Sequence, residues 1–163
     1  MHELKRYEIL AKIINENKLK SVAEIGVRDG ETMFYILDNC PTVEVYYAVD
    51  VNREAKFLSD PRLDDRRIVP QIGYSVEIAA HFALNELDLV YIDADHSEAN
   101  VADDIRVWLP KIKETGFITG HDYENPAHRG VKAAVDRAFG ERVQSYQDGA
   151  YLWAVKLNAE VPA

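Results

Sequence analysis

The sequence predicts an α/β fold, a doubly wound and mostly parallel sheet with helices on both faces. Three observations predict it. Short apolar runs alternate with amphipathic stretches along most of the chain, as repeated βα units require. Two of these runs, Asp88-Leu-Val-Tyr-Ile-Asp93 and Gly116-Phe-Ile-Thr-Gly-His121-Asp122, stand about 17 residues of helical pattern apart, enough for a right-handed crossover between parallel strands. Two last apolar runs flank Gln147-Asp-Gly-Ala150, which reads as an antiparallel hairpin.

Each element follows from its local pattern. Leu4, Tyr7, Leu10, Ala11 and Ile14 recur at helical spacing, so an amphipathic helix is expected over 3–18. Ser21–Val27 is a short apolar strand running into Arg28-Asp29-Gly30. A helix over Thr32–Leu37 ends around Asp38-Asn39, ahead of Pro41. Val43–Asp50 is a β-branched and aromatic strand. A short helix near Arg53–Leu58 leads to a third strand, Arg67–Ile72. Pro70 cannot donate to a ladder, so that strand belongs at an edge of the sheet. Ser75–Leu84 is expected to be helical, Asp88–Asp93 is the fourth strand, Ser97–Lys113 the crossover helix and Gly116–Thr119 the fifth strand. Val131, Ala134, Val135, Ala138 and Phe139 mark one face of a further helix, closed by Gly140. Val143–Tyr146 and Tyr151–Leu157 form the hairpin.

A single domain is expected over 1–163, an opening helix (1–19) followed by a core (20–158). Apolar content of 47% and charged content of 29% are ordinary for a soluble globular chain. The net charge of −9 argues against a nucleic-acid surface, which needs clustered Lys and Arg. One cysteine, Cys40, rules out an intramolecular disulfide and fits a reducing compartment. No signal-peptide pattern opens the sequence, and no apolar run nears the ~20 residues of a membrane span. The expectation is a cytoplasmic protein with neither a nucleic-acid nor a membrane partner.

Parallel strands with polar tips bring their acids and histidines to one edge, where ligands bind in open α/β sheets. Asp93, Asp95 and His96 end the fourth strand; His121 and Asp122 end the fifth. The first strand-to-helix turn carries Glu24-Ile-Gly26-Val-Arg28-Asp-Gly30. It is not a dinucleotide fingerprint, because Arg28 stands where the second glycine should be. Asp50 closes the second strand, either as a solvated or capping residue or as a receptor for two ribose hydroxyls. Its company of Glu24, Gly26 and Gly30 favours the ribose role. Gly73-Tyr74-Ser75 follows the third strand, and Ser75 is also a plausible N-cap. Asp95 reads better as a helix start than as a partner of His96. Asp103 and Asp104, inside the crossover helix, read as a solvated face. Tyr123, His128 and Arg129 lie in a loop that can border an acceptor.

The plan of five parallel strands plus a terminal hairpin, with Glu24-x-Gly26-x-x-x-Gly30, Ile92-Asp93-Ala-Asp-His96-Ser and Gly120-His121-Asp122-Tyr123, resembles the class I methyltransferases that use S-adenosylmethionine. Within them it is similar to the macrocin O-methyltransferase and cephalosporin hydroxylase-like group, over about residues 20–157. The resemblance implies a seven-stranded, Rossmann-like sheet in the order 3-2-1-4-5-7-6, the last strand antiparallel. It implies a cofactor site of Glu24, Gly26, Arg28, Gly30, Thr32, Asp50, Val51, Gly73, Tyr74, Ser75 and Asp93. It implies a divalent ion, Mg2+ first, on Asp93, His121 and Asp122, with His121 in the place of a second acid. Asp93 and His96 become the catalytic pair, His96 as the base. The implied reaction is O-methylation of a small-molecule hydroxyl, on a sugar, polyol or natural product. The same scaffold also hosts hydroxylase-like and non-catalytic, cofactor-binding relatives. A homodimer, with the opening helix packed across it, would supply the wall that so short a chain lacks.

Overall fold

A computed structural model describes residues 2–146 and 151–158. Its strands are β1 (Ser21–Ile25), β2 (Val45–Asp50), β3 (Ile68–Ile72), β4 (Leu87–Ile92), β5 (Ile112–Gly120), β6 (Gln144–Tyr146) and β7 (Leu152–Lys156). They form one sheet in the order β3-β2-β1-β4-β5-β7-β6, with β7 antiparallel to both neighbours. The helices are α1 (Arg6–Asn17), α2 (Glu31–Asn39), α3 (Ser75–Ala79), α4 (Glu98–Trp108) and α5 (Arg129–Phe139). The expected hairpin turn, 147–150, lies outside the described residues.

The two-residue period of the strands divides the core between the faces of the sheet. On β4, Leu89 and Tyr91 pack in one cluster with Leu10 and Ile14 of α1 and with Met33 and Ile36 of α2. Val90 and Ile92 pack on the other face with Ile78 of α3, Ile105 of α4 and Val135 of α5. β3 stands at the edge, with Pro70 opposite Ala48 of β2. The apolar face of α1 is buried within its own chain through Ile9, Leu10, Ile13 and Ile14.

Some expected elements differ. The helix near Arg53–Leu58 is instead two 3₁₀ turns, Lys56–Ser59 and Pro61–Asp64, because Asp60 accepts from the Arg62 amide and Pro61 starts a new turn. α3 stops at Ala79, where the amides of Ala80, His81 and Phe82 bond three residues back and tighten the turn. Ser75 is its first residue rather than its cap, which is Tyr74. The crossover helix ends at Trp108, since Pro110 belongs to a 3₁₀ turn over Leu109–Lys111. β5 then starts at Ile112, earlier than expected, and a register shift against β4 between Leu87 and Leu89 absorbs the extra residues. Among the described residues no helix is long and apolar enough to cross a membrane.

Candidate active site

The parallel register brings the ends of β1, β4 and β5 together. The Asp93 amide donates to the Ile25 carbonyl at 2.8 Å, and the His121 amide to that of Ile92 at 3.1 Å. Gly26 follows β1 with φ +93, and a Cβ there would lie 2.2 Å from the Asp93 carbonyl oxygen. Only glycine permits that approach. The loop continues through Arg28, itself left-handed at φ 58, to Gly30 at φ +87. Asp50, buried, clasps the loop from β2. Its Oδ2 accepts the amides of Val27 and Arg28, each at 2.9 Å, and its Oδ1 accepts that of Asn52 at 2.8 Å. A carboxylate offers about four acceptor positions, so these three bonds leave room for a ligand hydroxyl.

A cleft of about 510 Å³ opens over this edge. Gly26, Arg28, Asp50 and Asp93 line it, together with Val51, Gly73, Tyr74 and Ser75 from the loops after β2 and β3. Val51, Tyr74 and Val76 expose large apolar surface there, which suits a flat, weakly polar ring. Ser75 Oγ is held by the Trp108 indole N–H at 2.7 Å. Glu24 and Thr32 line a second cavity of about 250 Å³, which shares Gly26, Arg28 and Asp93 with the cleft. Gly30 lines neither and shapes the turn instead. Burial pushes the Glu24 carboxyl up to about 8, against the hydrogen bond it accepts from Tyr46 Oη at 2.7 Å.

The cleft also includes residues that the sequence reading left unassigned. Asp104 is 5% exposed and lines it, and burial pushes its carboxyl up to about 6. Its register was the overlooked signal: Val101, Asp104, Ile105 and Trp108 share one helix face, and all are buried. Asp103, Asn100 and Ala94 line the same cleft. Asp95 also borders it, while its Oδ1 accepts the Ser97 amide at 2.7 Å, so the helix-start reading holds. Tyr123 is turned to structure: its hydroxyl bonds Asp136, and Lys132 Nζ lies 3.2 Å from it.

The acid and histidine cluster forms beside the shared residue Asp93. His121 Nδ1 is 3.1 Å from Asp122 Oδ2 and 3.7 Å from Asp93 Oδ1. His96 Nε2 lies 2.7 Å from Asp122 Oδ2 and 3.7 Å from Asp93 Oδ1. Despite that short approach, His96 Nε2 makes no well-angled hydrogen bond among the described residues. The His96 ring stacks on His128, centroids 4.0 Å apart. Burial raises the Asp93 carboxyl above the usual range, although His121 and Arg6 oppose it. Burial works the same way on Asp122, but His121 and Asn125, the latter at 2.7 Å, outweigh it and hold that carboxyl well below the usual range. Among the described residues two sets place ligand atoms within 4.8 Å of one another: Asp93, His121 and Asp122, and His96, Asp122 and His128.

This sheet order is that of a Rossmann-like methyltransferase fold. A family model described as a methyltransferase domain matches residues 23–123, and the chain belongs to that family, the class I S-adenosylmethionine-dependent methyltransferases. No curated protein sequence matches it. Among solved structures it is similar to an O-methyltransferase from Bacillus cereus in complex with SAH, at 14% identity and TM-score 0.71 over 92% of this chain and 80% of that one. A methyltransferase from Geobacter sulfurreducens is similar at 16% identity and TM-score 0.71, over 92% and 76%. Spermidine synthase from Thermotoga maritima is similar at 20% identity and TM-score 0.69, over 96% of this chain and 59% of that one. At these identities the likeness is one of fold.

Proposed function

We propose that the chain transfers the methyl group of S-adenosylmethionine to a hydroxyl of a small neutral molecule, a sugar, polyol or natural product. The observation that carries this reading is the adjacency of two sites at Asp93. On one side lies the cleft with Asp50 and the apolar rim, and on the other a histidine set against a carboxylate kept ionised. Adenine would sit against Tyr74 and Val76, the ribose on Asp50, and the sulfonium near Asp93. His96 takes the acceptor's proton, and Asp122 stabilises the imidazolium that results. As the oxygen–methyl bond forms, the carbon–sulfur bond breaks and S-adenosylhomocysteine leaves. Most of the acceleration comes from positioning the two reactants in line. The O-methyltransferase likeness supports oxygen as the acceptor, and the acidic surroundings disfavour a phosphorylated one.

A divalent ion belongs to the same proposal. Asp93, His121 and Asp122 would hold it, leaving His96 free as the base. Its contribution when bound is to acidify a hydroxyl. Imidazole donors suit zinc or iron(II) better than magnesium. The His96, Asp122 and His128 set favours a second reading, since two histidines and one carboxylate also hold iron in oxygen-dependent hydroxylases. Iron-dependent oxygen uptake would support that second reading. The leading one is tested by methyl transfer from labelled S-adenosylmethionine to a panel of sugars and polyols: label in an ether product supports it, and no transfer to any of them contradicts it. We place the protein in the cytoplasm, free of nucleic acid, and any homodimer on a surface other than the apolar face of α1.

A further inference from the structure

The smaller cavity contains a cation that neither the motif nor the fold assigned. Arg6, the first residue of α1, lines it along with Glu24, Thr32 and Asp93. One guanidinium nitrogen, Nη2, donates to Glu31 Oε2 at 2.7 Å. Another, Nε, is buried and has no hydrogen-bond partner among the described residues. An unsatisfied buried donor of this kind is costly, and a ligand acceptor would relieve the cost. The remaining charged lining is Arg28 and the acids Asp29, Glu31 and Asp93, while burial keeps Glu24 protonated at neutral pH. A doubly charged anion would be repelled there, whereas a zwitterion with one carboxylate and nearby positive groups would be matched.

From this we infer that Arg6 is the receptor for the α-carboxylate of the cofactor's amino-acid end. The inference rests on reading the adjoining cleft as the S-adenosylmethionine site. It also gives α1 a function within its own chain. The helix is anchored on the core by Leu10 and Ile14, and that packing sets Arg6 in the lining of the cavity. The acidic groups then face the ammonium and sulfonium, and the single carboxylate meets the guanidinium through a charge-assisted contact.

The test compares two ligands by calorimetry: S-adenosylhomocysteine, which carries the amino-acid end, and 5′-methylthioadenosine, which lacks it. Arg6→Met should weaken S-adenosylhomocysteine about 10- to 100-fold, the scale of one charged hydrogen bond, and leave methylthioadenosine unchanged. Arg6→Lys, which keeps a cation, should recover part of that loss, and it serves as the readout if Arg6→Met fails to fold. Equal weakening of both ligands, or none of either, would overturn the assignment. A wild-type protein that binds neither ligand would instead overturn the cofactor reading on which it rests.

Discussion

The α-carbon of Gly26 and the carbonyl oxygen of Asp93 approach so closely that a single added carbon would lie 2.2 Å from that oxygen. Both are main-chain positions, so neither can swing aside as a side chain would. This contact joins the glycine loop to the acid cluster, and it makes their relative placement a property of the backbone.

Gly26→Ala should accordingly destabilise the fold by about 2 kcal/mol or more, since it adds a clash at a left-handed φ. Binding of S-adenosylhomocysteine should fall with it. Urea unfolding measures the first effect. A midpoint equal to that of the wild type would contradict the close approach.

His96→Ala separates binding from chemistry. The cofactor product should bind within about threefold of wild type, while turnover falls about 100- to 10,000-fold, the usual range for a lost general base. A turnover near that of wild type would remove His96 from the reaction. Weakened cofactor binding of the same size would make it a positioning residue.

Glu24 gives the protein a pH dependence of definite sign. Its carboxyl has an ordinary value of 4.5 and sits at about 8 in the native state. Between those values the native state keeps a proton that the unfolded chain has released, so stability falls as pH rises through that window. Glu24→Gln retains an acceptor for Tyr46 and should flatten the slope. It should match wild type near pH 4 and exceed it near pH 8. Asp104→Asn should remove a smaller decline, between 3.8 and about 6. Urea midpoints from pH 4 to 9 that run parallel in all three proteins would contradict both assignments.

Asp122 is common to both metal-ligating sets. Asp122→Ala should weaken Zn2+ and Mn2+ binding at least tenfold in equilibrium titrations. Equal affinity in variant and wild type would dismiss the metal site.

Much of the architecture was legible because periodicity and proline act locally. Pro70 placed β3 at the edge, and the two polar-tipped strands fell side by side as β4 and β5. The glycine loop and Asp50 were legible from their order along the chain. What escaped had tertiary causes. The start of β5 depends on a register shift against β4, and Asp104 turned inward because its helix face packs on the sheet. No local pattern singles out Arg6. Only the packing of α1 against α2 brings it to the cavity beside Asp93.

The most direct test of the central claim is a crystal structure of the protein with S-adenosylhomocysteine. The account predicts ribose hydroxyls on Asp50, adenine against Tyr74 and Val76, and the sulfur beside Asp93. The ligand bound at any other place, or the ribose away from Asp50, would contradict it.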